Sequence, residues 1–478
     1  MPRNFRAISR WPNADSRGVI GGSGVYSRAM NGKPDLLPRR MAAAILGDVL
    51  DNKKPLDGCL EAVFANNKAL GVRDRAFLRQ LVATSLRQLG NIDAILAKKL
   101  KKPLPRRAGM ARHILRLGIA QILFMKVADF AAVDTSVQLV AKHKQPQVRA
   151  LKGLVNAVLR GVTREKEALL DEAARKITRN IPGWLKKSWS AILNEAEILE
   201  ISRILVQDPP LDLTPRCPKN AAEIAAEMNA DLLPNGSIRL TEGGDIRRLP
   251  GFAEGRWWVQ DAAASLAVGL LGAVKGQNIA DLCAAPGGKT LQLAAAGANV
   301  TAIDRSTARL VRLRENLART GLSADVVTSD IRKFHPDAPF DGVLLDAPCS
   351  ATGTLRRHPD VGWIKSASEI AALVTLQGEL LDHALRLLAP GGALVYCVCS
   401  LQPAEGPEQI AAFLARTPDA ALEPVEASGL PGLADAVTPE GYLRTLPSHW
   451  RDEGGMDGFF MARLRRLPGP LAGIGPTC

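Results

Sequence analysis

Two cysteines in the carboxyl-terminal half of the chain follow apolar segments typical of buried strands, where a free thiol can act as a nucleophile. Cys349 lies in Asp346-Ala-Pro-Cys-Ser-Ala-Thr-Gly-Thr354, and Cys399 lies in Tyr396-Cys-Val-Cys-Ser-Leu401. Addition of a thiolate to carbon 6 of a pyrimidine makes carbon 5 reactive, because the ring becomes an enamine. A carboxyl group must support protonation of the ring nitrogen, and Asp346 is the candidate. The pattern suits methylation of carbon 5 of a pyrimidine, and chemistry alone leaves open which thiol attacks.

A single cysteine is more often a small buried apolar residue than a nucleophile. Two cysteines on adjacent loops reverse that expectation, and the second thiol can assist elimination. Cys397, two positions before Cys399, is expected to point to the opposite face of its strand and to be structural. The seven cysteines form neither a disulfide framework nor the paired CxxC elements of a zinc site, so we expect no metal and reduced thiols.

A glycine turn follows the first predicted strand of this half, in Asp281-Leu-Cys-Ala-Ala-Pro-Gly-Gly-Lys-Thr290. Gly287 and Gly288 let the backbone and a ligand approach closely. The segment is not GxGxxG, and a P-loop would need glycine at the position of Cys283. The turn therefore predicts a nucleoside-type cradle rather than a phosphate site.

Acidic residues end the next two predicted strands. Asp304 can accept hydrogen bonds from both hydroxyls of a ribose, and Asp330 can reach the ribosyl or adenine edge of the same ligand. One acidic strand end is equally well explained as the cap of the following helix. Three successive strand ends in register favour a nucleoside site.

Strand and helix patterns alternate from about residue 255, which predicts a doubly wound parallel sheet with its ligand crevice beyond the carboxyl ends of the strands. Predicted strands cover 278–282, 299–303, 326–329, 342–345 and 393–398. This α/β Rossmann-type domain is predicted to span 255–467, with a tail at 468–478.

The first half of the chain has a different pattern. Apolar residues recur at helical spacing across 38–164, which predicts an all-α bundle. Mixed patterns over 165–254 predict a small α+β module. Residues 1–37 are basic and are predicted to form a disordered tail. The predicted fold class is multidomain, with all-α, α+β and α/β parts.

Lysine and arginine outnumber aspartate and glutamate by 62 to 48, and the net charge of +14 suits a nucleic-acid partner, although solubility alone is an alternative. Six clustered positive charges either contact phosphates or keep a linker in water: Lys98, Lys99, Lys101, Lys102, Arg106 and Arg107. Four tryptophans either pack in cores or stack on unpaired bases, and packing is the commoner role: Trp184, Trp189, Trp257 and Trp258. No apolar run is long enough to cross a bilayer, so a soluble, cytoplasmic protein is expected.

Residues 281–290, 346–354 and 399–401, together with Arg356-Arg357-His358-Pro359-Asp360, closely resemble the signatures of the RsmB/Sun family of ribosomal RNA cytosine-5 methyltransferases. The resemblance implies S-adenosylmethionine as the methyl donor and RNA, most specifically 16S ribosomal RNA, as the substrate. It implies that Cys399 forms the covalent adduct and that Cys349 assists release. Cofactor contacts are implied at Cys283, Ala284, Ala285, Pro286, Gly287, Gly288, Lys289, Asp304, Asp330 and Asp346.

The likeness continues through residues 258–262 and 456–460, and the segments 73–78 and 153–160 look like the family's NusB-like RNA-binding domain. Two departures occur next to the nucleophile. Val398 replaces the usual threonine, and Ala404-Glu405-Gly406 replaces the usual Glu-Glu-Asn. Both can alter the loop around Cys399, with reduced activity or a shifted substrate as the consequence.

Two other functions stay open at this point. A non-catalytic RNA-binding assembly factor would keep the fold and a donor pocket without turnover. A DNA cytosine-5 methyltransferase would use the Pro-Cys thiol, Cys349, as its nucleophile, and the helical front domain argues against it. The protein is expected to be a monomer, and the sequence leaves open which cytosine is modified and whether the substrate is free RNA or a ribosomal subunit.

Overall fold

The computed structural model describes residues 36–105, 108–241 and 244–468. Nearly all of the two predicted tails lies outside these ranges, as do Arg106 and Arg107 of the lysine-rich segment. Within these ranges, no helix combines the length and the apolar character that crossing a membrane requires.

The first part of the described chain is a helical bundle, as predicted. Every residue of its central helix from His113 to Leu123 is buried, so this helix is surrounded by the others. Val155, Val158, Leu159 and Val162 form the buried stripe of another helix at helical spacing. The helices are α1 (Leu36–Leu50), α2 (Leu56–Asn66), α3 (Val72–Arg87), α4 (Leu89–Lys99), α5 (Gly109–Leu123), α6 (Asp129–Ala141), α7 (Pro146–Arg149), α8 (Lys152–Arg164) and α9 (Lys166–Arg175).

An α+β module follows, in agreement with the predicted pattern. It consists of α10 (Gly183–Trp189), α11 (Glu195–Leu205), β1 (Leu211–Pro215), α12 (Ala221–Glu227), β2 (Asp231–Leu232), β3 (Ile238–Leu240) and β4 (Trp257–Val259). Asn194 and Glu197 form a capping box at the start of α11. The strands form an antiparallel sheet in the order β2-β3-β1-β4. Strand β4 lies past the predicted boundary at residue 254 and joins this sheet by pairing with β1.

The α/β domain completes the described chain. Its elements are α13 (Ala262–Gly269), β5 (Asn278–Leu282), α14 (Gly288–Ala295), β6 (Asn299–Asp304), α15 (Thr307–Thr320), β7 (Asp325–Thr328), β8 (Phe340–Asp346), α16 (Val361–Ile364), α17 (Ala367–Leu387), β9 (Leu388–Val398), α18 (Pro407–Arg416), β10 (Ala420–Leu422), β11 (Leu443–Thr445) and β12 (Phe459–Arg466). Strands β5, β8 and β9 are inner strands with runs of four or five consecutive buried residues, as expected for a sheet that is covered on both faces.

The strands of this domain lie in the order β10-β12-β9-β8-β5-β6-β7, with β11 beside β12. Strands β7, β6, β5, β8 and β9 are parallel. The predicted parallel sheet has an additional antiparallel edge, where β12 pairs with β9. The apolar part of β12 is short and runs into arginines, so its sequence does not have the pattern of a buried parallel strand. The chain turns from β5 towards β6 on one side and later towards β8 on the other, which makes this junction the topological switch point.

Direct hydrogen bonds join the helical bundle to the α/β domain. The indole Nε1 of Trp363 donates to the carbonyl oxygen of Leu86 at 3.1 Å, and the Lys53 ammonium donates to the carbonyl oxygen of Trp363 at 2.9 Å. The backbone N–H of Leu56 donates to Oδ2 of Asp360 at 2.9 Å. The bundle is therefore held in one position against the segment that precedes α17.

Candidate active site

The glycine turn between β5 and α14 lies at the switch point. Gly287 has a φ of 109°, and a Cβ there would lie 2.9 Å from Cγ of Leu313, so the position requires glycine. Cys283 also has a positive φ, of 61°. Helix α14 begins at Gly288 without a side-chain cap, which leaves the backbone N–H groups of its first turn free to bind a ligand.

Asp304 lies at the end of β6, beside this turn. Its carboxylate is almost fully buried; Oδ2 accepts a hydrogen bond from the backbone N–H of Ala285 at 3.2 Å, and Oδ1 accepts from that of Ser306 at 2.8 Å. These bonds connect the glycine turn to the start of α15. Each carboxylate oxygen has a second lone pair, so Asp304 can still accept hydrogen bonds from ribose hydroxyls.

Asp330 follows β7 and is more exposed. The guanidinium of Arg332 donates to its Oδ2 at 2.6 Å and also pairs with Glu379 at 2.8 Å. The hydrogen bonds from Arg332 lower the pKa of Asp330 to about 2. Asp330 is therefore an ionised carboxylate that a ligand would share with an arginine, an arrangement that the sequence did not indicate.

Asp281 lies at the end of β5 and is fully buried. Its Oδ2 accepts from the Thr290 hydroxyl at 2.5 Å, whereas its Oδ1 has no hydrogen-bond partner in the described part of the chain. Burial raises the pKa of Asp281 to about 7. An unpartnered carboxyl oxygen and acidic strand ends around a glycine turn fit a ligand with positive charge and hydroxyl groups. S-adenosylmethionine has both, in its sulfonium, its ammonium group and its ribose.

The two predicted thiols meet on the loops after β8 and β9. Their sulfurs, Cys349 Sγ and Cys399 Sγ, lie 3.4 Å apart, within hydrogen-bonding distance, and both side chains are partly buried. The hydrogen bond to Cys399, burial and the negative charge of Glu405 raise the pKa of Cys349 well above its ordinary value of 9.0. The loops thus place one protonated thiol directly beside the other sulfur.

The expectation for Cys397 is wrong. Cys397 and Cys399 pack against the same apolar cluster, and Val398 between them packs on the other face, because residues two apart in a strand share a face. The Cys397 thiol donates to Oδ1 of Asp346 at 3.5 Å, and the Lys289 ammonium donates to Oδ2 at 2.6 Å. Although burial opposes its charge, Lys289 has a raised pKa because of Asp346. The cradle and the thiol loops therefore meet at one carboxylate.

Sequence reasoning missed the role of Glu405. This residue is fully buried, and its carboxylate accepts hydrogen bonds from Ser350, Ser400 and Gln377. A signal was present in the sequence, since each serine directly follows one of the two thiols. Two Cys-Ser pairs on adjacent loops can share one acceptor, but only the fold identifies which residue supplies it.

The two departures from the family pattern have local structural explanations. Val398 is fully buried in an apolar cluster, where a valine needs no hydrogen-bond partner. At Gly406 a Cβ would lie 2.9 Å from Cγ of Phe460, so the glycine makes room for that ring. Neither residue disturbs the contact between the two sulfurs.

Several residues proposed for RNA contact have other partners. Lys98 pairs with Glu172 at 2.6 Å and Lys99 with Glu165 at 2.5 Å, whereas Lys101 and Lys102 are exposed. Three of the tryptophans are buried core residues, and the fourth is half-buried and donates to the carbonyl oxygen of Gly362: Trp189, Trp257, Trp258 and Trp184. Packing, not base stacking, explains these tryptophans.

A doubly wound sheet with a glycine turn and acidic strand ends at its switch point defines a Rossmann-type, S-adenosylmethionine-dependent methyltransferase. The family model of 16S rRNA methyltransferase RsmB/F matches residues 268–465, and that of the NusB family matches residues 37–164. The ribosomal RNA small subunit methyltransferase B of Pseudomonas syringae pv. tomato is 38% identical over 448 residues, which cover 90% of this chain and 97% of that protein. The chain belongs to the RsmB/F family of 16S rRNA methyltransferases.

Solved structures agree with this assignment. The crystal structure of PH0851 matches with a TM-score of 0.69 and 25% identity, and the match covers 91% of this chain and 100% of that one. A methyltransferase homolog protein from Pyrococcus horikoshii matches with a TM-score of 0.52 and 25% identity, covering 62% of this chain and 98% of that one. These comparisons confirm the resemblance and the fold class predicted from the sequence.

Proposed function

We propose that this protein transfers a methyl group from S-adenosylmethionine to carbon 5 of a cytosine in 16S ribosomal RNA, with Cys399 as the nucleophile. The observation that supports this most directly is the 3.4 Å distance between the sulfurs of Cys349 and Cys399. Asp346, which begins the loop of Cys349, accepts a hydrogen bond from Lys289 of the glycine turn and so connects the thiols to the cofactor cradle. Relatives are named ribosomal RNA small subunit methyltransferase B, which supports ribosomal RNA as the substrate.

The reaction begins when the Cys399 thiolate adds to carbon 6 of the cytosine, forming an S–C6 bond and making carbon 5 nucleophilic. Asp346 supports the proton at the ring nitrogen as the adduct forms. Lys289 and Cys397 hold this carboxylate in place before the base arrives. When bound, S-adenosylmethionine supplies an electrophilic methyl group to carbon 5.

Cys349 acts at the end of the reaction. After methyl transfer a water molecule takes the carbon-5 proton, and the electron pair of the C5–H bond forms the C5–C6 double bond. The S–C6 bond breaks at the same time, and its electron pair returns to the Cys399 sulfur. A raised pKa keeps the Cys349 thiol protonated at neutral pH, so it can donate a hydrogen bond to the departing sulfur. A thiol with a raised pKa forms a thiolate less readily, which argues against Cys349 as the attacking group.

Residues of the glycine turn and three carboxylates hold the cofactor in this proposal. The backbone of 283–289 surrounds the ligand, and the carboxylates of Asp304, Asp330 and Asp346 accept hydrogen bonds from it or balance its positive charge. The left-handed Gly287 and the uncapped start of α14 support this assignment.

The front of the chain binds the RNA. We assign the NusB-like bundle to residues 38–164, the α+β module to 165–254 and the methyltransferase domain to 255–467. Two elements cross these boundaries, since α9 packs on the bundle and β4 pairs with β1 of the module. The exposed Lys101 and Lys102 contribute phosphate contacts. The bundle is hydrogen-bonded to the methyltransferase domain, so RNA bound on it stays beside the thiols. The protein acts as a monomer in the cytoplasm, where its proposed substrate is assembled.

The roles of the two thiols are separable by substitution. Cys399→Ala removes the nucleophile, so we expect no covalent RNA adduct and a loss of methyl transfer on the order of 10³-fold or more. Cys349→Ala leaves the nucleophile but not the thiol that assists release, so the adduct should accumulate. Denaturing gels of each variant after incubation with ribosomal RNA and labelled S-adenosylmethionine measure both results.

Cys217→Ala is the matched control, because Cys217 is exposed and distant in sequence from both thiols. It should form and release the adduct as the unsubstituted protein does. An adduct that forms in Cys399→Ala but not in Cys349→Ala would assign the nucleophile to the other loop, as in the DNA methyltransferase alternative.

A further inference from the structure

The Glu405 network consists of the Glu405 carboxylate and its donors Ser350, Ser400 and Gln377, all of them buried. Oε1 of Glu405 accepts from the backbone N–H of Ser350 at 2.8 Å and from Nε2 of Gln377 at 3.1 Å. Oε2 accepts from the hydroxyls of Ser350 and Ser400, each at 2.5 Å. Four hydrogen bonds therefore converge on one carboxylate.

The network connects the two thiol loops at the residues next to the sulfurs. Ser350 directly follows Cys349, and Ser400 directly follows Cys399. The two serine hydroxyls lie 3.1 Å from each other and donate to the same carboxylate oxygen. Fixing both serines fixes the backbone positions of both cysteines, because a single peptide unit separates each serine from its cysteine.

The burial of Glu405 is costly for stability. No lysine, arginine or histidine of the described chain forms an ion pair with it, and a buried carboxylate without such a partner is destabilising relative to an apolar residue. Backbone bonds between the loops already exist, for example from the N–H of Gly353 to the carbonyl oxygen of Cys399 at 3.0 Å. Glu405 therefore adds precision at the sulfurs rather than general cohesion.

We propose that Glu405 is a positioning residue that sets the separation of the Cys349 and Cys399 sulfurs for release of the methylated RNA. The proposal rests on the proposed function in one respect, that both thiols take part in the reaction. Cys349 can assist the departing sulfur of Cys399 only while the two stay within hydrogen-bonding distance. Loss of the Glu405 network should therefore slow release more than adduct formation.

Phenylarsine oxide measures the thiol separation without reference to activity. Its arsenic(III) forms two As–S bonds with neighbouring thiols, and the oxygen leaves as water with the two thiol protons. Glu405→Ala should need on the order of tenfold more reagent to bridge Cys349 and Cys399, because the thiols lose their high effective concentration. Mass spectrometry of the bridged peptides gives the concentration for half-bridging.

Two further variants separate positioning from general loss of structure. For Glu405→Gln, the reagent concentration that bridges half of the protein should lie within about threefold of that for the unsubstituted protein. The amide oxygen can accept from Ser350, and the NH₂ group can donate to the serine hydroxyls. Glu408→Gln is the matched control, since Glu408 is exposed three positions further along. Where Glu405→Ala does not fold, Ser400→Ala removes one hydroxyl donor and gives the same comparison.

Steady-state and single-turnover assays together supply the kinetic readout. In the steady state, Glu405→Ala should lower kcat by about 100-fold and lower KM for RNA with it, because the covalent adduct accumulates before release. The single-turnover rate of adduct formation should change little, and Glu405→Gln should restore most of the steady-state rate. Wild-type bridging in both Glu405→Ala and Ser400→Ala would overturn the inference. If the adduct experiment assigned the nucleophile to Cys349, the proposed function would be overturned instead. The bridging experiment would still measure whether Glu405 sets the separation of the Cys349 and Cys399 sulfurs.

Discussion

Burial and local hydrogen bonds, more than residue type, decide the charge of the acidic groups around the glycine turn. Asp281 is fully buried and has a pKa raised to about 7, whereas Asp330 is held by Arg332 and has a pKa lowered to about 2. Near pH 6 the first is mostly protonated and the second is ionised. The sequence shows two aspartates at the ends of strands, and only their surroundings distinguish them.

Asp281 should make stability depend on pH. The folded-state pKa of Asp281, about 7, lies above its ordinary value of 3.8. The stabilisation that this residue gives to the folded state is therefore fully present below about pH 4 and is lost as the pH rises through about 7. In Asp281→Asn the side chain at this position is uncharged at every pH. The free energy of unfolding of this variant should therefore fall less between about pH 5 and pH 8 than that of the unsubstituted protein, by on the order of 1–3 kcal/mol. Urea denaturation across this range measures it.

Asp325→Asn is the control for this comparison, because Asp325 is an exposed aspartate on β7. Its pH dependence should match that of the unsubstituted protein. Parallel curves for Asp281→Asn and the unsubstituted protein would show that Asp281 titrates at its ordinary value.

At the scale of elements, strand pairing and one turn position the site. Strand β9 is hydrogen-bonded on both sides, to β8 and to β12, along the segment that leads to Cys399. The antiparallel β12 was absent from the predicted sheet, yet it makes β9 an inner strand. The proposed nucleophile, Cys399, therefore follows a strand that is hydrogen-bonded on both sides.

Gly287→Ala should disrupt the turn. Its φ of 109° is unfavourable for alanine, and the new Cβ would lie 2.9 Å from Leu313, so we expect a loss of about 1–3 kcal/mol in the free energy of unfolding. S-adenosylmethionine binding, measured by calorimetry, should weaken as well. Gly288→Ala is the comparison for stability, because its Cβ would lie 3.5 Å from the Gln260 side chain, at ordinary contact distance. Equal destabilisation by both changes would contradict this account.

At the scale of the whole molecule, hydrogen bonds and apolar packing hold the bundle against the methyltransferase domain, and in the proposed function this contact places bound RNA beside the thiols. Trp363 packs against the core of the bundle and forms hydrogen bonds with Leu86 and Lys53. The segment 356–360, part of the family signature, also supplies the carbonyl of Arg356 to Arg87 at 3.0 Å. A stretch that belongs to the family signature thus contributes to a domain interface.

Trp363→Ala should loosen this interface by roughly 2–4 kcal/mol, because it removes a large packed side chain and a hydrogen bond. We expect KM for RNA to rise and the affinity for S-adenosylmethionine to stay unchanged, since Trp363 is distant from the glycine turn in sequence and belongs to another apolar cluster. Trp450→Ala, whose indole bonds within the carboxyl-terminal segment, should leave KM unaltered. An unchanged KM in Trp363→Ala would show that the interface has no part in RNA binding.

The sequence by itself determined the three-part fold class, the glycine turn, the acidic strand ends and both candidate thiols. These follow from local rules: apolar periodicity predicts helices and strands, and the carboxyl ends of parallel strands meet at one edge of a sheet. The predicted elements at 278–282 and 299–303 agree with β5 and β6 to within one residue for this reason.

Tertiary structure alone decided the antiparallel edge, the pairing of Asp330 with Arg332, the core packing of the tryptophans, the orientation of Cys397 and the convergence of Ser350 and Ser400 on Glu405. Each of these features depends on contacts between residues that are distant in sequence, or on burial. The local spacing of residues predicts neither which distant residues pair nor which side chains are shielded from water. The two candidate thiols are visible in the sequence, whereas their separation of 3.4 Å and the raised pKa of Cys349 exist only in the folded chain.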